Sequence, residues 1–326
     1  MRTFELQAAG GPFHDPALLV SPKNLRHSIL FDCGTLHSLK TRDLLRVRWL
    51  FLSHLHIDHV IGFDHLLRVR LFSEQPLHIF GPPGTAQAIG HRLQGYAWNL
   101  TSGSPFVIQA HDLGDSDVVD TVVFRCHHRF QPEEPQETPC STAGEGKLEL
   151  SSGLSVQWHS VEHGVPCYCY RLERHFPPTF SPETCRSLGL IPGPWVRNLT
   201  EGRELSMEVQ GQERNQEWLR RELLTYSEPD TLGFLTDTRL TLDLTSKLKL
   251  FFSRVQMLVC ECAYLTEDAK LAEQNLHMTT GQVAELATKS EAEHLRLFHL
   301  SRRYQEFGPA RHLAEVKELF PSAGLL

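Results

Sequence analysis

The sequence has few of the features that would place the chain in a specialised class of protein. Its first residues, MRTFELQAAGGPFHDP, contain no apolar core of a signal peptide, and no run approaches the roughly 18 apolar residues of a membrane span. Positive charge is not in excess, because 32 Lys and Arg face 39 Asp and Glu, for a formal net charge of −7. Nucleic-acid binding would therefore need a local basic patch. We expect a soluble, cytoplasmic protein that makes no membrane contact.

What the sequence does contain is a regular alternation of strand-like and helical stretches over 326 residues, with no internal repeat. This alternation predicts an α/β fold. One sheet with helices on one side would account for half of it, and two such halves packed sheet to sheet would place helices on both outer faces. Two segments rich in Pro and Gly interrupt the pattern. We interpret the middle of residues 127–153 as an exposed loop, and residues 174–215 as an inserted, irregular arm within a single domain spanning residues 1–326.

The eight cysteines include two pairs with C-x-C spacing, Cys167 with Cys169 and Cys260 with Cys262. Both pairs lie in strand-like runs, where alternation puts the two sulfurs on one face of a sheet. A structural zinc site is one interpretation of such pairs, but their position favours buried free thiols.

Histidine is abundant, at 19 copies, and three histidines lie in the stretch SHLHIDHVIG at positions 53–62, directly after an apolar run. In an extended chain His54 and His56 point to the same side, so they can bind one metal together. Asp58 and His59 come where the strand gives way to a turn and a helix, so they can face a second metal. A single histidine at a strand end is usually an ordinary polar residue, but four candidate ligands in six residues predict a metal site. Zinc suits these donors, with manganese or iron as alternatives.

Three more metal-competent side chains follow other apolar strands: His163, Asp237 and His299. Active sites of α/β proteins gather at the carboxyl ends of strands. We therefore expect these three residues to complete a site for two metals.

Together these motifs resemble the metallo-β-lactamase superfamily, and within it the ribonuclease Z branch of tRNA 3′-processing endonucleases. H-x-H-x-D-H followed by His, Asp and His is similar to the superfamily's metal signature. The resemblance to the branch extends over most of the chain, through LFDCG, FGPPG, EHGVPCYCYRLE, LGLIPGPW, LTDTRLT, CECAYL, HMTTGQVAELA and HLSRRY. It implies a four-layer αββα sandwich, in which two mixed sheets pack face to face with the helices outside.

The resemblance also implies how the ligands are shared between two Zn²⁺ ions per chain. His54, His56 and His163 would hold the first ion, Asp58, His59 and His299 the second, and Asp237 would bridge them. Asp32 would support the metal-binding loop. Members of the branch are commonly dimers, so the resemblance implies a homodimer.

The catalytic roles implied by the resemblance fall on four residues. Asp58 would orient the attacking water as well as bind metal, and His277 would donate a proton to the leaving 3′ oxygen. Glu261 is the candidate for holding His277, and Arg303 should face a substrate phosphate. Simpler interpretations make His277 a polar residue that precedes a helix cap, and Arg303 a surface arginine.

Three departures from the branch bear on the substrate. Ile57 stands where the family usually has Gly, TLHSLKT follows FDCG in place of the usual Glu-Gly-Thr-Gln stretch, and the arginines of the arm are offset by glutamates. The leading hypothesis is an endoribonuclease that removes the 3′ trailer of precursor tRNA and leaves a 3′-hydroxyl. A hydrolase of a smaller phosphodiester such as a cyclic nucleotide, or of another ester, is the alternative enzyme. A metal-free scaffold is the third hypothesis, which the seven competent ligand positions disfavour.

Overall fold

The computed structural model describes residues 3–114, 118–139, 146–151 and 153–326. The chain divides into two compact units. The first comprises Met1–Leu150, Ser155–Leu172 and Thr231–Leu326, and the second comprises Ser151–Leu154 and Glu173–Asp230. Among the described residues, no helix has the length and apolar character that crossing a membrane requires.

The regular elements alternate along the chain as the sequence predicts. The strands are β1 (Phe4–Ala8), β2 (Leu18–Pro22), β3 (Ser28–Phe31), β4 (Val47–Phe51), β5 (Leu77–Gly81), β6 (Val107–Asp112), β7 (Val118–Arg125), β8 (Gln136–Pro139), β9 (Lys147–Ser151), β10 (Leu154–Glu162), β11 (Pro166–Arg174), β12 (Thr179–Phe180), β13 (Ser206–Val209), β14 (Gln212–Asn215), β15 (Leu224–Thr225), β16 (Asp230–Leu235), β17 (Met257–Glu261), β18 (His294–Phe298) and β19 (Ala323–Leu325). The α-helices are α1 (Thr41–Arg46), α2 (Ile57–Val60), α3 (Phe63–Arg70), α4 (Thr85–Gln94), α5 (Pro182–Ser187), α6 (Trp195–Thr200), α7 (Gln216–Leu223), α8 (Leu242–Phe251), α9 (Ala269–Gln274), α10 (Thr280–Lys289) and α11 (Ala310–Leu319).

The first sheet contains eight strands in chain order, from β1 to β8. Strands β3 to β6 run parallel, and antiparallel pairs flank them on both sides, so the sheet is mixed. Its outer face packs against α1, α3 and α4 through buried side chains that include Leu44, Phe63, Leu66, Ile89 and Leu93. Helix α4 begins after a glycine in the left-handed conformation. Gly84, with φ 96°, is the N-cap, and Thr85 is the first helical residue, with its hydroxyl donating to the carbonyl of Pro82.

The second sheet has the order β19-β18-β17-β16-β11-β10-β9. Strands β16 to β19 are parallel. Strands β10 and β11 are joined by a turn of three residues, which only antiparallel neighbours allow, and β9 is the edge strand beside β10. Helices α8, α10 and α11 cover the outer face of this sheet through buried side chains such as Leu248, Val283, Leu286 and Val316.

Aromatic rings fill the space between the two sheets. Phe31 of the first sheet stacks on Phe234 of the second, with ring centres 5.2 Å apart, and Tyr170 lies 5.3 Å from Phe51. The Tyr170 hydroxyl donates to the carbonyl of Leu52 across the same space. The predicted four-layer sandwich of two mixed sheets with helices outside is therefore confirmed.

The second unit contains α5, α6, α7 and two small two-stranded sheets, β12 with β15 and β13 with β14. Residues 174–215 lie in this unit and are more regular than the predicted irregular arm. Helix α5 starts at Pro182 because Ser181 caps it by accepting from the Thr184 amide, and Gly211, with φ 79°, turns the hairpin between β13 and β14.

Two further expectations concern loops and thiols. The middle of residues 127–153 falls partly outside the described ranges, at residues 140–145 and 152, while His127 and His128 before it are exposed. The seven cysteines in the described part of the chain are buried and unbonded, as predicted for both C-x-C pairs. Cys140 lies outside the described residues.

Candidate metal centre

The seven predicted ligands all follow the ends of strands. His54, His56 and the start of α2, with Asp58 and His59, come directly after β4, which ends at Phe51. The other three follow one strand each, with His163 after β10, Asp237 after β16 and His299 after β18. The fold brings these strand ends together, and the seven side chains form two adjoining groups of ligand atoms.

The first group contains nitrogens of His54, His56 and His163, all within 4.8 Å of one another. His163 Nδ1 lies 2.9 Å from the carbonyl oxygen of Leu276, which can only accept, so Nδ1 carries the proton. This fixes the tautomer of His163 and leaves its Nε2 with a lone pair for a metal. The three imidazoles are a donor set typical of zinc.

The second group contains Asp58, His59, Asp237 and His299, again within 4.8 Å. Asp237 Oδ1 is 2.7 Å from His299 Nδ1, and Asp237 Oδ2 is 3.2 Å from His59 Nε2. Asp58 Oδ2 lies 3.6 Å from His299 Nε2.

Asp237 lies between the two groups. Its Oδ2 is 3.6 Å from His163 Nε2 and 4.0 Å from His54 Nε2, in addition to its contact with His59. The side chain is almost completely buried, so it is held in this central position. One carboxylate thus reaches ligands of both groups.

Asp32 supports the ligands from behind. Its Oδ2 is 2.8 Å from His59 Nδ1, and its two oxygens accept from the amide and the hydroxyl of Ser53. A carboxylate on the far nitrogen of a metal-binding histidine fixes the tautomer and orients the ring. The position of Asp32 matches the role that the resemblance implies.

The electrostatics of the site fit a bound cation. His54 Nε2 is buried without a hydrogen-bond partner among the described residues, and burial lowers the pKa of His54 to about 2, so the ring presents an unused lone pair. Burial opposes ionisation of Asp237, but His299 and His59 outweigh it and hold the carboxyl pKa well below its ordinary value. Burial also disfavours charge on His59, yet Asp237 and Asp32 raise its pKa to about 10. The carboxylates therefore favour positive charge at this place, which a metal supplies without protons.

His277 lies beside the ligands and is held by Glu261. The His277 Nδ1 to Glu261 Oε2 distance is 2.9 Å, and the other oxygen of the buried Glu261 accepts from the amide of Thr238. Burial lowers the pKa of His277, but Glu261 and Asp237 outweigh it, so the pKa is above the ordinary value. The ring centre of His277 is 5.2 Å from that of His163. The structure thus places a histidine held by a buried carboxylate at the edge of the cluster.

Arg303 lies apart from these residues. Its guanidinium is 3.7 Å from the carboxylate of Asp268 and lies over the ring of Tyr304. The cavity beside the centre is instead lined by the preceding arginine, Arg302, and by residues of the loop Phe13, His14 and Asp15. Sequence spacing gave no signal for these residues, because backbone contacts between distant segments bring them to the site.

Comparison with known proteins places the chain in a family. No protein-family profile matches it. Ribonuclease Z from Deinococcus radiodurans, however, is 36% identical to this chain over 321 residues, which cover 96% of this chain and 95% of that protein. The chain belongs to the ribonuclease Z family.

Solved structures share the fold of this member of the ribonuclease Z family. The metallo-β-lactamase fold protein YhfI from Bacillus subtilis covers 98% of the chain, with a TM-score of 0.57 and 14% identity. The short form of human tRNase Z covers 92% of it, with a TM-score of 0.50 and 17% identity. In this ribonuclease Z family member the two ligand groups lie at the strand ends of that fold.

Proposed function

We propose that this protein is a metal-dependent endoribonuclease that removes the 3′ trailer from precursor tRNA. The observation that carries the proposal is the convergence of seven metal-competent side chains from four separate strand ends. The membership in the ribonuclease Z family, over nearly the whole chain, supports RNA as the substrate.

Two zinc ions per chain fit the donors that the site offers. His54, His56 and His163 would hold one, Asp58, His59 and His299 the other, and Asp237 would contribute to both. Imidazole and carboxylate donors suit zinc, with manganese or iron as the alternatives. When bound, such a metal pair lowers the pKa of water to about 7 and offsets negative charge on a phosphate.

The protein's own groups supply proton transfer and orientation. Asp58 is partly exposed and lines the cavity beside the centre, and it would orient the attacking water through its second carboxylate oxygen. His277, oriented by Glu261, would give a proton to the 3′ oxygen as that oxygen leaves the phosphorus. The products would be a 3′-hydroxyl on the tRNA and a 5′-phosphate on the trailer. The contact of Arg303 with a phosphate stays a proposal, and its guanidinium lies 3.7 Å from the carboxylate of Asp268.

The alternative enzyme, a hydrolase of a small phosphodiester, is favoured by one observation, the net charge of −7. Salt separates the two substrates. Binding of tRNA should weaken steeply as salt rises, in proportion to the phosphates contacted, whereas a single phosphodiester should show little dependence.

The test is incubation of the zinc-loaded protein with a 3′-extended tRNA precursor, beside bis(p-nitrophenyl) phosphate. We expect one cut in the precursor that leaves a 3′-hydroxyl, abolished by a chelator and restored by zinc. Hydrolysis of the dye with the precursor untouched at low salt would reject the proposal. Metal analysis should give two zinc ions per chain, and less than about one, not restored by added zinc, would favour the scaffold hypothesis. The homodimer and the cytoplasmic location stay predictions for size-exclusion chromatography and cell fractionation.

A further inference from the structure

The loop formed by residues 10–16 packs directly against the metal centre. Gly34 lies between this loop and the turn that carries Asp58, where an added Cβ would come within 2.6 Å of backbone atoms of both Asp15 and Asp58. On its other side, the loop accepts a hydrogen bond at the Pro12 carbonyl from the amide of Leu300, the residue after His299. Backbone contacts therefore fix the loop beside ligands of the second group.

This loop forms one wall of a cavity of about 260 Å³. Asp58, His277 and His299 line the cavity on the side of the metal centre, and His14, Asp15 and Arg302 line it elsewhere. An RNA strand whose reacting phosphate lay among Asp58, His277 and His299 would therefore share this cavity with Arg302.

Arg302 is the basic side chain that the cavity presents. One terminal nitrogen, Nη2, is 2.5 Å from Asp15 Oδ1, and the Arg302 side chain is 68% exposed. A guanidinium has five N–H donors in a planar fork, so an anchor on one nitrogen leaves donors that can bind a phosphate. Asp15 is itself only 19% exposed and is fixed by the loop, so it holds the guanidinium at one place.

We propose that Arg302 is a substrate-binding residue that contacts the RNA phosphate next to the one that is cleaved, with Asp15 holding it in place. This inference rests on the proposed function, because a substrate with a single phosphodiester has no second phosphate to offer. A contact at a phosphate that does not react is the same in the ground state and the transition state, so it lowers KM and leaves kcat unchanged.

The experiment compares the zinc-loaded parent with Arg302→Gln and Arg302→Lys on the tRNA precursor and on bis(p-nitrophenyl) phosphate. We expect Arg302→Gln to raise KM for the precursor about tenfold at low salt, with unchanged kcat and unchanged kinetics on the dye. The slope of log KM against log salt should fall by about 0.7–0.9, the value for one phosphate contact, and Arg302→Lys should keep most of the slope. Arg42→Gln is the matched control, because Arg42 is 77% exposed, is paired with Asp43 and lies on α1.

Three outcomes would overturn the inference. Unchanged KM and salt slope for the precursor would mean that Arg302 makes no phosphate contact. An equal loss on the precursor and the dye would place Arg302 at the reacting phosphate or in the fold, and thermal melting separates these two cases. If the parent hydrolyses the dye but leaves the precursor intact, the proposed function fails, and the inference fails with it.

Discussion

Most charged side chains of the metal centre are buried, whereas most of those in the second unit are exposed. In the centre, Asp32, Asp237 and His59 are buried, and each has partners at hydrogen-bonding distance. In the second unit, Arg197 is 76% exposed and shares Glu201 with Arg203. Charge removed from water is costly unless it is paired, whereas an exposed ion pair contributes little to stability. A substitution that removes a charge should therefore have a large effect in the centre and a small effect in the second unit.

The second unit also differs in its balance of charge. Residues 173–230 contain seven arginines, no lysine and ten acidic residues, a net charge of −3. If this unit contacts tRNA, it does so through a few arginines whose charges are already balanced by glutamates.

Asp58→Ala should give the largest effect, a loss of activity of about 10³-fold or more, because the change removes a ligand and the group that orients water. Metal content measured by mass spectrometry should fall as well. Because Asp58 lies on a partly exposed turn, circular dichroism should show an intact fold. A variant with parental activity and full metal content would show that Asp58 neither binds metal nor takes part in catalysis.

His277→Ala should lower kcat by about 10²–10³-fold and leave the metal content unchanged, because it removes a proton donor and no predicted ligand. His128→Ala is the matched control, since His128 is exposed and distant from the centre in the sequence. Parental kcat in His277→Ala would disprove the role of the histidine. A variant that has lost metal would instead identify it as a ligand.

Two neighbouring histidines lie outside both regions, His78 half-buried and His111 buried. His78 Nδ1 is 3.2 Å from His111 Nε2. Burial, with a smaller contribution from the positive charges of Arg48 and Arg70, lowers the pKa of His78 to about 4. Burial, with a smaller contribution from His78, lowers the pKa of His111 to about 3. Both values lie below the ordinary value of 6.5, so the folded state holds neutral rings while the unfolded chain takes up protons as the pH falls. These two histidines therefore leave the free energy of unfolding unchanged above about pH 6.5. As the pH falls below about 6.5, each of them lowers the free energy of unfolding by at most about 1.4 kcal/mol per pH unit.

Urea unfolding of the metal-loaded protein at pH 7.5 and pH 5.5 measures this loss. In His111→Gln, the difference in unfolding free energy between the two pH values should shrink by the share of one histidine. An unchanged difference would show that these two rings do not carry the acid sensitivity.

Glu201→Gln should give the smallest effect, because it releases two exposed arginines from one exposed carboxylate. We expect no measurable change in melting temperature. If residues 174–215 contact the RNA, KM for the precursor should fall by about twofold, with a slightly steeper salt dependence. An unchanged KM would count against a contact between these residues and the RNA.

The sequence predicted the fold and the residues that the fold brings together at the centre, because both follow from local patterns. Each ligand directly follows an apolar strand, and parallel strands place their carboxyl ends at one edge, so His163, Asp237 and His299 could be predicted without a structure. The contact between Glu261 and His277 is present, but Glu261 was only a candidate for it, because sequence cannot fix which carboxylate holds the histidine.

What the sequence could not predict depends on contacts between distant backbones. The loop with Asp15 reaches the centre because Gly34 and Leu300 hold it there, 19 and 285 residues further along the chain. No periodicity encodes such a contact. The same limit explains why Arg303 was chosen by resemblance, whereas the cavity presents Arg302.

The carboxylate of Glu261 has one consequence for how the protein loses activity. One of its oxygens holds the amide next to Asp237, and the other holds the ring of His277. A shift of Asp237, the proposed bridge between the metals, would thus also displace His277, the proposed proton donor. If two zinc ions bind as proposed, a sample short of zinc should contain fully active and inactive molecules, with no partly active species between them.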